Sequence, residues 1–201
     1  MSYMGEVKSY TDEEILQTIK EIVAKVVLME PDEIEEDASL VDDIGLESID
    51  FLDVAFRLEE TYGISLPRQG FVQRFVDKLG PEALAKDGKI SPQGVKLLRL
   101  GFPEVDPARI HEGMNEGEVF YLVSAKTYLN LVKRGLAIAR WKPGQCDKCQ
   151  GADFREVDKE KVELPNGEFP LGPVFVCASC DEMMLPPEFD QDIFDQLTQA
   201  P

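Results

Sequence analysis

The chain has 201 residues, 43% apolar and 30% charged, enough for a good core in one large or two small domains. Its formal net charge of −18 argues against nucleic acid as a partner, because a phosphate backbone attracts concentrated positive charge. No stretch approaches the apolar length that spans a bilayer, and the opening MSYMGEVKSYTDEE lacks the basic-then-apolar pattern of a secretory signal. The expectation is a cytoplasmic protein with no membrane span.

The charge is unevenly placed. Residues 1–66 hold 18 Asp and Glu against 4 Lys and Arg, a net of −14, whereas the remaining 135 residues hold 21 against 17. Such a field steers the N-terminal part towards positively charged protein surfaces.

Taken in order, Thr11–Met29 reads as a first helix. Thr11 and Glu14 make a capping-box pattern, and Ile15, Ile19, Ile22, Val23, Val26 and Val27 recur at helical spacing. Glu30-Pro31-Asp32 is expected to end it. A long acidic loop follows to Glu47, with Ile34, Leu40, Val41, Ile44 and Leu46 as apolar anchors. Ser48 reads as the N-cap of a second helix running to Tyr62, with Asp50 in its first turn where negative charge suits the helix dipole. The helical period predicts an inward stripe of Leu52, Ala55, Leu58 and Tyr62 and a second, outward stripe of Ile49, Asp53, Phe56 and Glu60. The outward stripe mixes apolar groups with carboxylates and reads as a docking surface for basic partners. Gly63 is the expected stop.

Beyond Pro67, Gly70–Leu79 is expected to be helical, Ser91-Pro92 opens a helix through Leu100, and Gly101–Ile110 is a Pro-containing connection. Ser124–Ala139 is a last amphipathic helix carrying Tyr128, Leu131, Val132, Leu136 and Ile138.

The run Gly45-Leu46-Glu47-Ser48-Ile49-Asp50, with the acidic helix after it, resembles the attachment site of acyl carrier proteins. The usual family motif is Asp-Ser-Leu, and Glu47-Ser48-Ile49 keeps its charge and apolar character. The resemblance implies that Ser48 carries a 4′-phosphopantetheine arm through a phosphodiester, an anion suited to a helix N-terminus. It further implies that Glu47 and Asp50 help a phosphopantetheinyl transferase recognise the site. Ile49, Asp53, Phe56 and Glu60 would dock acyl-transferring or acyl-modifying enzymes with basic surfaces. The resemblance extends more weakly to Ser124–Ala139, which gives a carrier domain of about 1–139 with an insertion around 67–123.

Cys146-Asp-Lys-Cys149 and Cys177-Ala-Ser-Cys180 hold all four cysteines. A two-residue spacer aims two thiolates at one ion from a tight turn, and two such pairs complete a tetrahedral site. Short strands are expected at Phe154–Val157, Lys161–Leu164 and Val174–Val176, with a turn at Pro165-Asn166-Gly167. The segment 140–201 therefore reads as a small β zinc ribbon and tail, stapled by a structural zinc. Iron would fit the same four thiolates, but the glycine expected after each pair is replaced by Gln150 and Asp181. The fold expected for the whole chain is mainly α, an acyl-carrier-like helical bundle with a helical insertion, followed by the ribbon.

His111 is the sole histidine, and no cysteine is left over as a nucleophile. The expectation is a non-enzymatic carrier of acyl thioesters in a fatty-acid, polyketide or specialised lipid pathway. The competing reading is an unmodified acidic interaction or scaffold module with a structural zinc ribbon. A nucleic-acid-binding ribbon ranks below both, since Lys142, Lys148, Arg155, Lys159 and Lys161 are interleaved with six carboxylates.

Overall fold

The computed structural model describes residues 10–66, 76–77, 80–157, 163–164, 167–168 and 174–185. It divides into two compact units, one of residues 12–131 and one that holds the chain from Val132 on. The expected fold class holds: the chain is mainly helical, with a small sheet beside the clustered cysteines.

In the first unit, α1 (Asp12–Val27) buries Ile15, Ile19, Ile22, Val23 and Ala24. It ends at Val27, four residues before Pro31. Leu28 turns into the left-handed region at φ 59°, and Met29 N–H reaches back to the Ala24 carbonyl at 3.0 Å. That bond closes the helix without a glycine or proline. A single 310 turn at Pro31–Glu33 begins the acidic loop, whose anchors Ile34, Leu40 and Leu46 are buried. The loop is tied to itself by Leu46 N–H to the Leu40 carbonyl at 2.7 Å, and to the chain beyond by Leu40 N–H to the Val123 carbonyl at 2.9 Å.

Helix α2 (Ser48–Tyr62) packs on α1 and stops at Gly63, which takes φ 64° as a left-handed cap. Its buried side chains are Val54, Leu58 and Tyr62. This corrects the phase expected from the sequence. Leu52 is 58% exposed and Ala55 only half-buried. Phe51 and Val54 join Leu58 and Tyr62 on the inward side, at spacings of three and four. Apolar residues surround the N-terminal half of this helix, so periodicity alone fits two phases about equally well.

The insertion has a core of its own. Short helix α3 (Pro81–Leu84), a hairpin of β1 (Ala85–Lys86) and β2 (Lys89–Ile90), and helix α4 (Pro92–Gly101) gather Leu84, Ile90, Leu98, Val105, Ile110, Met114 and Leu122 into one cluster. Asp87 and Gly88 both have positive φ, the two-residue turn that matches strand twist. Ser91 caps α4 by accepting from Gly94 N–H at 2.9 Å, and Pro92 takes the first helical position as expected. Gly94 is required there: a Cβ would stand 2.1 Å from the Leu84 carbonyl oxygen. Of the expected helix Gly70–Leu79, Val76 and Asp77 are helical and the rest lies outside the described residues. Helix α5 (Ala125–Ala139) matches the expected last helix.

In the second unit, β3 (Phe154–Val157) pairs antiparallel with β6 (Val174–Cys177), which pairs in turn with β7 (Met183–Met184). Strands β4 (Glu163–Leu164) and β5 (Gly167–Glu168) form a separate hairpin, whose residues Pro165 and Asn166 lie outside the described residues.

Candidate attachment site and metal centre

Ser48 is the first residue of α2, and its side chain is exposed. It is not the N-cap expected from the sequence. Glu47 holds that position in an extended conformation, and its N–H donates to Asp50 Oδ2 at 2.8 Å. Asp50 N–H returns a bond to the Glu47 carbonyl at 2.9 Å. The N-cap therefore sits one residue earlier than expected, and the Ser48 hydroxyl makes no hydrogen bond to another described residue. This hydroxyl stands at the positive end of a helix, where an anion is favoured, and the cap does not need it.

The loop before it presents this serine through a net of local bonds. Ser39 N–H donates to Asp43 Oδ2 at 2.8 Å, Asp42 N–H to Ser39 Oγ at 3.1 Å, and Gly45 turns at φ 86°, where a side chain would be strained. Behind Ser48, α2 exposes Ile49 (66%), Leu52 (58%) and Phe56 (57%), spaced three and four apart on one face. Asp53 flanks them, paired to Arg57 at 2.9 Å, and Glu47 and Glu60 are exposed nearby in sequence. The structure thus places Ile49, Asp53, Phe56 and Glu60 on the outer part of α2 as expected, and adds Leu52, which sequence reasoning had turned inward. Asp50 serves the cap and is half-buried.

The four cysteine sulfurs lie within 4.8 Å of one another. Cys146 Sγ and Cys180 Sγ are 3.7 Å apart, and Cys149 Sγ and Cys177 Sγ 3.4 Å. A regular tetrahedron with Zn–S bonds of about 2.3 Å needs sulfurs roughly 3.8 Å apart, so the donor set fits a four-coordinate thiophilic ion. The two pairs are built alike. Cys146 N–H donates to the Gly151 carbonyl at 2.9 Å and Cys177 N–H to the Glu182 carbonyl at 3.0 Å. Gln150 N–H returns to Cys146 at 2.9 Å and Asp181 N–H to Cys177 at 3.0 Å.

Gln150 and Asp181 take φ of 61° and 54°. They adopt the left-handed turn that glycine would supply, at a cost of roughly 1–2 kcal/mol each. The missing glycines therefore do not separate zinc from iron on backbone grounds. The Ser179 N–H, ahead of other causes, draws the Cys177 thiol down to about 7. At Cys180 the Glu182 N–H favours the thiolate, yet burial and the neighbouring thiols outweigh it and push the thiol up to about 12. Four sulfurs this close cannot all ionise without a cation between them, which is the condition a bound metal meets.

Around the centre, Glu182 is shared by Arg140 and by Lys148 at 2.8 Å, and Lys142 pairs with Asp147. Trp141 packs on Phe175 with ring centroids 5.1 Å apart. Sequence reasoning missed this shell, because ion pairs across 34 and 42 residues leave no local pattern.

Known proteins resemble part of this chain. Residues 17–73 match the family model described as a phosphopantetheine attachment site. The meromycolate extension acyl carrier protein of Mycobacterium leprae is 31% identical over 97 residues, covering 44% of this chain and 77% of that protein. The acyl carrier protein of Rhodococcus erythropolis is 30% identical over 82 residues, 37% of this chain and 90% of that one. The chain belongs to the acyl carrier protein family. The acyl carrier protein of Zymomonas mobilis, 34% identical over 64 residues and 76% covered, agrees. An acyl carrier protein is a carrier and not an enzyme, and this one has a phosphopantetheine carrier role in lipid synthesis. Among the described residues no helix is long and apolar enough to cross a membrane.

Proposed function

We propose that Ser48 is the point of attachment of the 4′-phosphopantetheine arm, on which acyl groups are held as thioesters and presented to partner enzymes. The observation that carries this is the Ser48 hydroxyl, exposed and without a hydrogen-bonding partner among the described residues at the first residue of α2, with the cap closed by Glu47 and Asp50 instead. The arm supplies the thiol chemistry, and the protein supplies tethering and docking.

A phosphopantetheinyl transferase meets the site through Glu47 and Asp50. Acyl-handling enzymes with basic surfaces rimming an apolar patch meet Ile49, Leu52, Asp53, Phe56 and Glu60. Cys146, Cys149, Cys177 and Cys180 hold one structural zinc ion, with no coordination position left open for chemistry. The relatives named for meromycolate extension favour cargo from a fatty-acid type of lipid pathway.

Mass spectrometry of the chain co-expressed with a transferase tests the attachment. An arm-sized mass increase is expected, and it should vanish in Ser48→Ala. An increase that survives that substitution refutes the assignment. Unmodified wild-type protein, with function retained in Ser48→Ala, would favour the scaffold reading.

A further inference from the structure

Helix α5 begins in the first unit and ends in the second. Near its start Tyr128 donates its hydroxyl to the Phe51 carbonyl of α2 at 3.1 Å, and Asn130 donates to Glu104 at 2.8 Å. Its other end runs into Arg140 with no glycine cap. The last carbonyls of a helix lack partners within it, and three of them are met here from outside. Leu136 accepts from Arg140 N–H at 3.0 Å and Ile138 from Trp141 N–H at 3.1 Å. Ala137 accepts from Leu185 N–H at 3.3 Å, and Leu185 is 1% exposed. Leu185 follows the cysteine Cys180 by five residues, and the strap between them is held along its length. Glu182 N–H donates to the Cys180 sulfur, and its carbonyl accepts from Cys177 N–H at 3.0 Å. The Glu182 carboxylate pairs with Arg140 at the helix end and with Lys148, between the other two cysteines, at 2.8 Å. Met183 and Met184 pair with Val176 and Phe175 of β6, the strand that ends on Cys177.

We propose that the metal centre is a latch on α5: an ion held by the four cysteines keeps residues 132–139 helical through the strap from Glu182 to Leu185, and its loss lets that end fray. The inference rests on the reading of the cysteines as zinc ligands and says what the ion controls. A sheet of strands four, four and two residues long buries too little to hold its own shape. Without a cation nothing keeps the two cysteine turns together. The strap then has no anchor, the Ala137 carbonyl loses Leu185, and Arg140 loses Glu182. Both members of that ion pair are nearly covered, with side chains 11% and 15% exposed, so its loss is not offset by water as at a surface. The bonds of Tyr128 and Asn130 do not pass through the strap, so the first half of α5 keeps its own ties. Glu182 is the positioning residue: its carboxylate joins one cysteine turn to the helix end.

The test is hydrogen–deuterium exchange of the full chain, read by mass spectrometry, for zinc-loaded protein and for protein stripped by a strong chelator under a reductant. Peptides covering 132–139 should exchange at least about tenfold faster once the ion is gone, while those of α1 change by less than about twofold. Zinc-loaded Glu182→Gln keeps the backbone bonds of the strap and loses both ion pairs. It should exchange about tenfold faster at 132–139 than loaded wild type, and release zinc to a chromogenic chelator about tenfold faster, the usual size for a group that orients metal ligands. Asp181→Asn removes the exposed pair with Arg155 and suits the same left-handed backbone, so both readings should stay within about twofold of wild type.

Zinc-loaded Glu182→Gln that matches wild type at 132–139 overturns the inference, and so does Asp181→Asn that speeds exchange as much as Glu182→Gln. If stripping unfolds the whole chain, so that α1 speeds equally, the loaded Glu182→Gln comparison decides. If Glu182→Gln does not fold, the stripped and loaded wild type decide. A chain that takes up no zinc overturns the metal reading and this inference together. A chain that binds zinc and protects 132–139 equally with and without it overturns the inference alone.

Discussion

Leu52 and Val54 stand two residues apart on α2 and face opposite environments, which makes them a sharp test of the docking face. Val54 has no exposed surface, whereas Leu52 is 58% exposed. Val54→Ala strips two buried methyl groups at about 0.8 kcal/mol each. With the cavity left behind, the cost is about 2–3 kcal/mol. For a chain of this size that is a fall in thermal midpoint of roughly 4–12 °C. Leu52→Ala removes atoms that already meet water, so stability should stay within about 0.5 kcal/mol and the midpoint within about 2 °C.

The two variants should exchange roles in function. Arm transfer by the phosphopantetheinyl transferase should lose roughly 5–10-fold in kcat/KM with Leu52→Ala, the size of a modest interface hot spot. Below its melting temperature, Val54→Ala should be unaffected. Far-UV circular dichroism under heat and urea gives the stabilities, and single-substrate kinetics give the rest. A loss of 2–5 kcal/mol in Leu52→Ala, typical of a buried leucine, would put that side chain inside and dismantle the face. Unchanged stability together with unchanged kcat/KM would leave the exposed stripe without the proposed role.

The metal centre predicts about one zinc ion per chain by elemental analysis of protein purified without chelator. Strong chelation or Cys146→Ser should lower the thermal midpoint and bleach the β contribution to circular dichroism, since the sheet is small. Iron at the same stoichiometry, with thiolate charge-transfer absorption, would replace zinc in this account. Glu104 gives a pH signature. Burial, the largest cause, raises its carboxyl above the ordinary 4.5, against bonds from Thr127 and from Asn130 at 2.8 Å. The folded state therefore holds this proton longer than the unfolded one. Its contribution to stability is fully present below pH 4.5 and is lost as pH rises through the raised folded value. Denaturation titrations should show the stability of wild type relative to Glu104→Gln falling across that window, and a difference that rises with pH refutes the assignment.

The helices were legible because each carries a full apolar stripe: the extents of α1, α2, α4 and α5 follow the 3.6-residue period to within two residues. The cysteine centre was legible because both spacings repeat and no cysteine is left over. The phase of α2 was not. Ile49, Phe51, Leu52, Val54 and Phe56 put apolar groups on every side of its first turns, and only packing against the rest of the unit selects which are buried. The β1–β2 hairpin had a local signal in Asp87-Gly88, but strands of two residues show no alternation to read. The end of α1 was misread at Pro31 because a left-handed leucine closes it earlier. The serine's true position, one residue into the helix, depended on Asp50 bonding Glu47, a choice that either residue type permits.

The separate core of the insertion bears on how this protein comes apart. Leu84, Ile90, Leu98, Ile110 and Leu122 bury one another, while α1, α2 and the acidic loop bury a different set, joined to the insertion's end by the Leu40–Val123 bond. Cooperative unfolding follows shared burial, and clusters that share little open with free energies of their own. The insertion is then a foldon: it can open and reclose in hydrogen exchange while the helix that presents Ser48 stays protected. Proteolytic nicks in the segment would report that local equilibrium and leave the helix carrying Ser48 folded.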